Sequence, residues 1–288
     1  MESSSEPLRA IILDNDEASG YYAILFDFWE FLNKSKLGKR VEFPMIINFW
    51  IEYSETALIF RQGLFEFLEK AVQFRESGRL DAIIMYTHQN ADFTWEDWSI
   101  PAFLSVLMGH IVFHKRGYRK LRQPLFDHIL TFPPKEHRVS LPGGWTQKSF
   151  DRVLNLYPWK PKDIRHMIFV DDNATPKMVE ANSIAANKKT LNSWERVRAY
   201  RLDYDGEDFR RCIEEFQTFI REEYHIEIPD DSAVIMKISA EVHSDGRDGI
   251  KFHKGDYDET FERLDRILHE RYPVPKKNSW FRRTPKTT

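Results

Sequence analysis

The sequence predicts an α/β protein built on a mostly parallel sheet with helices on both faces. Short, fully apolar runs of strand length recur along the chain, as in "AIIL", "AIIM" and "MIFV". Between them lie stretches whose apolar residues fall at helical spacing, so strand and helix alternate. Two of the apolar runs end in acids, "AIILDND" and "MIFVDD", which is where an open parallel sheet places its ligands.

In chain order, residues 9–14 ("RAIILD") read as the first buried strand. In "SGYYAILFDFWEFLNK", Tyr21, Ile24, Leu25, Phe28, Trp29 and Leu32 fall at helical spacing, and the basic turn "SKLGKR" follows. "FPMIINFWIEYSETALIF" is apolar and fits helix or strand. "RQGLFEFLEKAVQFRES" sets Leu64, Phe65, Leu68, Ala71 and Val72 on one side of a helix, and "SGR" stops it. "LDAIIMYT" is a second buried strand. Residues 91–122 are rich in aromatics and His, with a helix around residues 100–108. "FDHILTF" fits a third strand, and "TQKSFDRVLNLY" a helix that carries Lys148 and that Thr146 can cap. "RHMIFVDDN" is a further strand, "ATPKMVEANSI" a helix and "RVRAYRL" a strand. Farther on, "GEDFRRCIEEFQTFIREEY" and "DYDETFERLDRILHERY" are helices, and "AVIMKISAEV" reads as a strand.

Bulk properties narrow the class. The 288 residues are 42% hydrophobic, enough for one large core. A net charge of −3 argues against a general nucleic-acid or membrane binder. Cys212 is the only cysteine, which excludes a disulfide framework and any multi-cysteine metal site and fits a reducing compartment. "MESSSEPLRA" lacks the apolar core of a signal peptide, and no run of about 18 apolar residues occurs. An intracellular protein, cytoplasmic or nuclear and without a membrane partner, is expected.

The acids carry the chemistry. Asp14, Asp16, Asp171 and Asp172 follow strands and would gather at one sheet edge from distant parts of the chain. Crowded carboxylates need a cation, and oxygen-only ligands suit Mg²⁺. "IIMYT" ends a third strand in a hydroxyl, Thr87, and Lys148 lies upstream of the last of these strands. Carboxylates, a hydroxyl, an ammonium and a metal suit phosphoryl transfer. The same "LDNDEAS" also suits a strand end followed by an Asx-turn and a helix cap. Thr87 alone suits a turn and Lys148 alone a solvated helix surface; only their order beside the acids sets them apart.

That order resembles the haloacid dehalogenase superfamily of phosphohydrolases. "ILDNDEA" is similar to its first motif, "MYT" to the second, Lys148 to the third and "IFVDDN" to the fourth. A closer resemblance is to the branch that dephosphorylates the C-terminal domain of RNA polymerase II, with its Asp-x-Asp-Glu (Asp14 to Glu17) and an Arg-x-Gly segment, here starting at Arg61. It spans roughly residues 10–184. Ala18 stands where that branch usually has Thr or Val, and the segment between Thr87 and Lys148 is longer than in the small polymerase phosphatases.

The resemblance implies a Rossmann-like three-layer core and a role for each residue. Asp14 is the nucleophile and Asp16 the general acid and base. Thr87, His88 and Lys148 bind substrate. Mg²⁺ is held by Asp14, the Asp16 main-chain carbonyl and either Asp172 or Asp171, with the other of that pair orienting Lys148 or a metal-bound water. The expected layout is a phosphatase core over residues 1–202 with an inserted lobe at about 88–147, and the region after about residue 202 has no counterpart in the family. A C-terminal α/β extension covers 203–271 and a basic tail 272–288, which suits an acidic or nucleic-acid partner. The expected activity is hydrolysis of phosphomonoesters, on phospho-Ser or phospho-Thr of proteins. Nucleic-acid ends or small metabolites are the alternative substrates, and a non-catalytic binding subunit is the alternative class. His110 and His114, four apart, lack a third zinc ligand in view, and the aromatics of "DFTWEDW" suit packing or a substrate ring.

Overall fold

The computed structural model describes residues 8–15, 23–57, 60–87, 94–115, 124–131, 148, 150–158, 166–171, 194–196, 204–242 and 259–274. Five short strands, β1 (Ala10–Leu13), β2 (Ala82–Tyr86), β5 (His128–Leu130), β6 (Met167–Asp171) and β7 (Trp194–Arg196), form one sheet in the order β5-β2-β1-β6-β7. Every pairing in it is parallel. The first strand in sequence therefore sits at the centre, as the fully buried "AIIL" requires.

Alternation along these strands separates two apolar layers. Ile11, Leu13, Ile83, Met85, Ile168 and Val170 face the larger core. Ala10, Ile12, Ile84, Tyr86, Met167 and Phe169 face a smaller one, shared with Val153 and Leu154 of the short helix α5 (Phe150–Leu154). Side chains of a strand alternate between faces, so each strand builds both layers at once.

The larger layer is helical. It takes α1 (Ala23–Lys34), α2 (Phe43–Ala57), α3 (Leu64–Glu76) and α4 (Ile100–His110), with π-helical hydrogen bonding over Ile111–Lys115. The ambiguous apolar stretch from residue 43 is thus helix. At its centre Trp50 meets Phe49 of α2 and Phe28 of α1 edge to face, and α2, spanning more than four turns, presents Phe49 and Trp50 together.

The stretch expected to form a lobe joins this core. The hairpin of β3 (Thr94–Trp95) and β4 (Trp98–Ser99) lays Trp95 edge to face on Trp29 and stacks Trp98 on Phe43. Trp29 Nε1 donates to the Trp98 carbonyl at 2.9 Å. Those tryptophans serve packing. β5 comes from the same stretch and completes one side of the sheet.

The C-terminal helices share the core as well. They are α6 (Gly206–Tyr224), α7 (Ser232–Glu241) and α8 (Thr260–Arg271). Phe216 of α6 meets Phe28 and Phe49 with ring centroids 4.9 and 5.0 Å apart. Asp231, buried, accepts from the main-chain N–H groups of Lys36 and Leu37 at 2.9 and 3.0 Å, tying this region to the turn after α1. Gly206 lies so close to α7 that a Cβ there would come 2.1 Å from the Ser239 carbonyl oxygen.

Three expectations need correction. "AVIMKISAEV" is α7, not a strand: Ile238 is buried and Val234 and Ile235 half-buried on the side facing α6 and α1, a helical spacing that overrides the β-branched composition. β7 begins at Trp194, two residues before "RVRAYRL", and residues 197–202 lie outside the described residues. Lys148 precedes α5 rather than riding on it. Thr146 and "ATPKMVEANSI" also lie outside the described residues.

A core shared between the N-terminal helices and α6 predicts one cooperative unit. Phe216→Ala should cost about 3–5 kcal/mol in denaturant unfolding, with helical signal and tryptophan fluorescence lost together. A separate early transition of the C-terminal helices alone would contradict this.

Candidate active site

Three central strands deliver the site. The register pairs Leu13 with both Met85 of β2 and Val170 of β6, so Asp14 stands next to Asp171 across the ladder. The ladder continues past the strand ends: Asp14 N–H donates to the Val170 carbonyl at 3.2 Å, and Thr87 N–H to the Leu130 carbonyl at 2.9 Å. By strand alternation Asp14 and Asp171 point to the side of Ile12 and Phe169, where α5 lies.

Lys148, just before α5, reaches between them. Its Nζ donates to Asp171 Oδ2 at 2.7 Å and also to Asp14 Oδ2. Asp14 is 6%, Lys148 2% and Asp171 1% exposed, so these charges are out of bulk water and hold one another. The main-chain N–H of Asn15, itself fully buried, donates to Asp14 Oδ1 at 2.8 Å. Both oxygens of the Asp14 carboxylate are thereby oriented. The Phe169 ring lies 5.8 Å from Lys148 Nζ and lines the apolar side. Thr87, 1% exposed, caps the neighbouring strand at the same edge.

Of the residues singled out from sequence, the structure joins Asp14, Lys148 and Asp171 directly and sets Thr87 at the end of the adjoining strand. Asp16, His88 and Asp172 lie outside the described residues. Among the described residues no group of three or more His, Cys, Asp or Glu side chains forms a metal-binding cluster. The described carboxylates here are nevertheless hard oxygen donors, the set that suits Mg²⁺. Cys212 offers no competing nucleophile: it is buried in the core, and desolvation pushes its thiol pKa up.

Sequence reasoning missed the Asn15 N–H and the Phe169 ring. The strand pattern held the signal for Phe169, two residues before Asp171 on the same face. Comparison with protein-family models, with curated proteins and with solved structures returned no match.

An ammonium shared by two buried carboxylates is costly to remove. Lys148→Met should lower stability by about 3–5 kcal/mol, because it leaves two acids facing each other without it. Adding Asp171→Asn should recover part of that loss, as a double-mutant cycle in denaturant would measure. A neutral Lys148→Met would contradict the ion-pair account.

Proposed function

We propose that the chain is a Mg²⁺-dependent phosphomonoester hydrolase of the haloacid dehalogenase type that works through an aspartyl-phosphate. The observation that carries this reading is the contact of Asp14 and Asp171 with Lys148 at the C-terminal edge of an all-parallel sheet, with Thr87 ending the adjacent strand. The sheet order and the residue order along the chain agree with the resemblance in the four motifs. That resemblance also favours phospho-Ser or phospho-Thr in proteins as substrate.

In this reading an Asp14 carboxylate oxygen forms a bond to phosphorus as the bond to the leaving oxygen breaks. Asp16 gives its proton to that leaving oxygen. Asp16, now a carboxylate, then takes a proton from water, which attacks phosphorus and returns Asp14 as a carboxylate. The acyl-phosphate divides one hard displacement into two easier ones. Lys148 and the Thr87 hydroxyl stabilise the oxygens of the transferring group. Asp171 holds Lys148, and the Asn15 N–H holds the plane of Asp14. Asp14, the Asp16 carbonyl and Asp172 would hold Mg²⁺, which when bound neutralises charge on the phosphoryl oxygens.

The test is turnover of an aryl phosphate with and without Mg²⁺, followed by phosphopeptides against 3′-phosphorylated oligonucleotides. Wild type should require Mg²⁺ and prefer phosphopeptides. Asp14→Asn should fall to background, since an amide is a poor nucleophile, while keeping the fold. Asp16→Asn should lose at least about a hundredfold on substrates with poor leaving groups and less on aryl phosphates, which need little protonation. An Asp14→Asn protein of near-normal rate would sink the mechanism, and preference for oligonucleotide ends would replace the substrate class.

A further inference from the structure

Arg61 has no role in the mechanism above, yet it is a guanidinium only 2% exposed. It begins the turn that leads into α3 and accepts the Leu64 N–H on its carbonyl at 3.2 Å. Its Nη2 donates to Thr260 Oγ1, the first residue of α8, at 2.8 Å. Gly63, at φ 79°, lets α8 close on this turn, since a Cβ there would come 3.2 Å from Phe261 Cβ.

Helix direction places this turn. α3 and α8 lie side by side and run the same way: Phe67 meets Phe261 at 5.3 Å, Lys70 pairs with Asp265 at 2.6 Å, and Phe74 meets His269 at 5.0 Å. Beyond their C-termini, Arg79 Nε donates to the Tyr272 carbonyl at 2.7 Å. That end is pinned to the start of the sheet. The Tyr272 hydroxyl donates to the carbonyls of Ala10 and His166, and Arg271 Nη1 to the Met167 carbonyl at 3.3 Å. Both helices therefore run back along β1 and its neighbours. Their first turns, with Arg61 and Thr260, lie toward the strand ends that carry Asp14, Thr87 and Asp171, on the face of the larger core. Each helix spans roughly 18–20 Å, the length needed to cross strands of four or five residues.

We propose that Arg61 binds the anionic oxygens of the substrate phosphate at this edge, and that Thr260 is a positioning residue that holds its guanidinium. The proposal rests on the phosphohydrolase reading. A planar guanidinium matches phosphate geometry with two donors, and fixing it beforehand removes ordering cost from binding. It also gives the C-terminal helix a share in the site: α8 supplies no reacting group, yet it sets the orientation of one that binds.

Thr260→Val tests this, with Thr260→Ser and Arg61→Lys beside it. Three readouts are needed: KM and kcat for an aryl phosphate, inhibition by inorganic phosphate, and the rise of the melting midpoint with inorganic phosphate. Thr260→Val should raise KM and the phosphate inhibition constant together by about tenfold with kcat little changed, as expected for a lost hydrogen bond to a charged group. Thr260→Ser should restore both constants, and Arg61→Lys, which keeps the charge but not the fork, should resemble Thr260→Val. Active wild type with unchanged constants in Thr260→Val and Arg61→Lys overturns this inference alone, as does a Thr260→Ser protein as impaired as Thr260→Val. An inert wild type whose melting still responds to phosphate, with the response weakened in Thr260→Val, supports the anion site and overturns hydrolysis. A wild type that neither turns over nor responds to phosphate overturns both.

Discussion

The ammonium of Lys148 is held by two buried carboxylates that approach from different strands. Removing such charges from water costs several kcal/mol each, and only close pairing offsets it. The pairing therefore constrains the fold. β1 and β6 must be neighbours in parallel register so that Asp14 and Asp171 stand side by side. The chain before α5 must return to the same edge, and the packing of Val153 and Leu154 against the smaller apolar layer anchors it there. Shielding follows from the same arrangement, since Phe169 lines the site on one side and the strands close it on another.

The second constraint is the depth of the larger layer. Among the described residues one short helix covers one face of the sheet, and the other face carries a thick helical cover. α1 to α4 supply much of it, and α6 to α8 complete it through Phe216, Phe209 and Leu264. At one end of α8 the Tyr272 hydroxyl ties this cover to the start of the sheet, and at the other the Thr260 hydroxyl accepts from Arg61 in the turn before α3. The C-terminal third is thereby part of the molecule's only large core among the described residues, not an appendage.

Much of this was legible in the sequence because burial on both faces of a parallel sheet leaves a plain mark. "AIIL", "AIIM" and "MIFV" contain no polar residue, and the acids that follow the first and the last mark the edge. α3 and α6 were legible from their apolar spacing. α7 was not: Val234, Ile235 and Ile238 carry strand propensity, and only their docking against neighbouring helices decides for helix. Lys148 showed through its order among motifs, but its position before α5 depends on where that helix begins, a boundary that local sequence specifies weakly. In the sequence Arg61 marks only the start of the Arg-x-Gly segment. Its burial arises from α8, about two hundred residues away along the chain, and no local pattern encodes such a contact.

The central claim is that Asp14 carries the phosphoryl group, and covalent capture tests it most directly. Wild-type protein turning over an aryl phosphate is quenched with borohydride, which reduces an acyl-phosphorylated aspartate to homoserine, and the peptides are read by mass spectrometry. The account predicts homoserine at position 14, dependent on substrate and on Mg²⁺, and more of it in the Asp16→Asn protein because hydrolysis of the intermediate lacks its base. Full turnover with no modification at residue 14, or capture at a different residue, would contradict it.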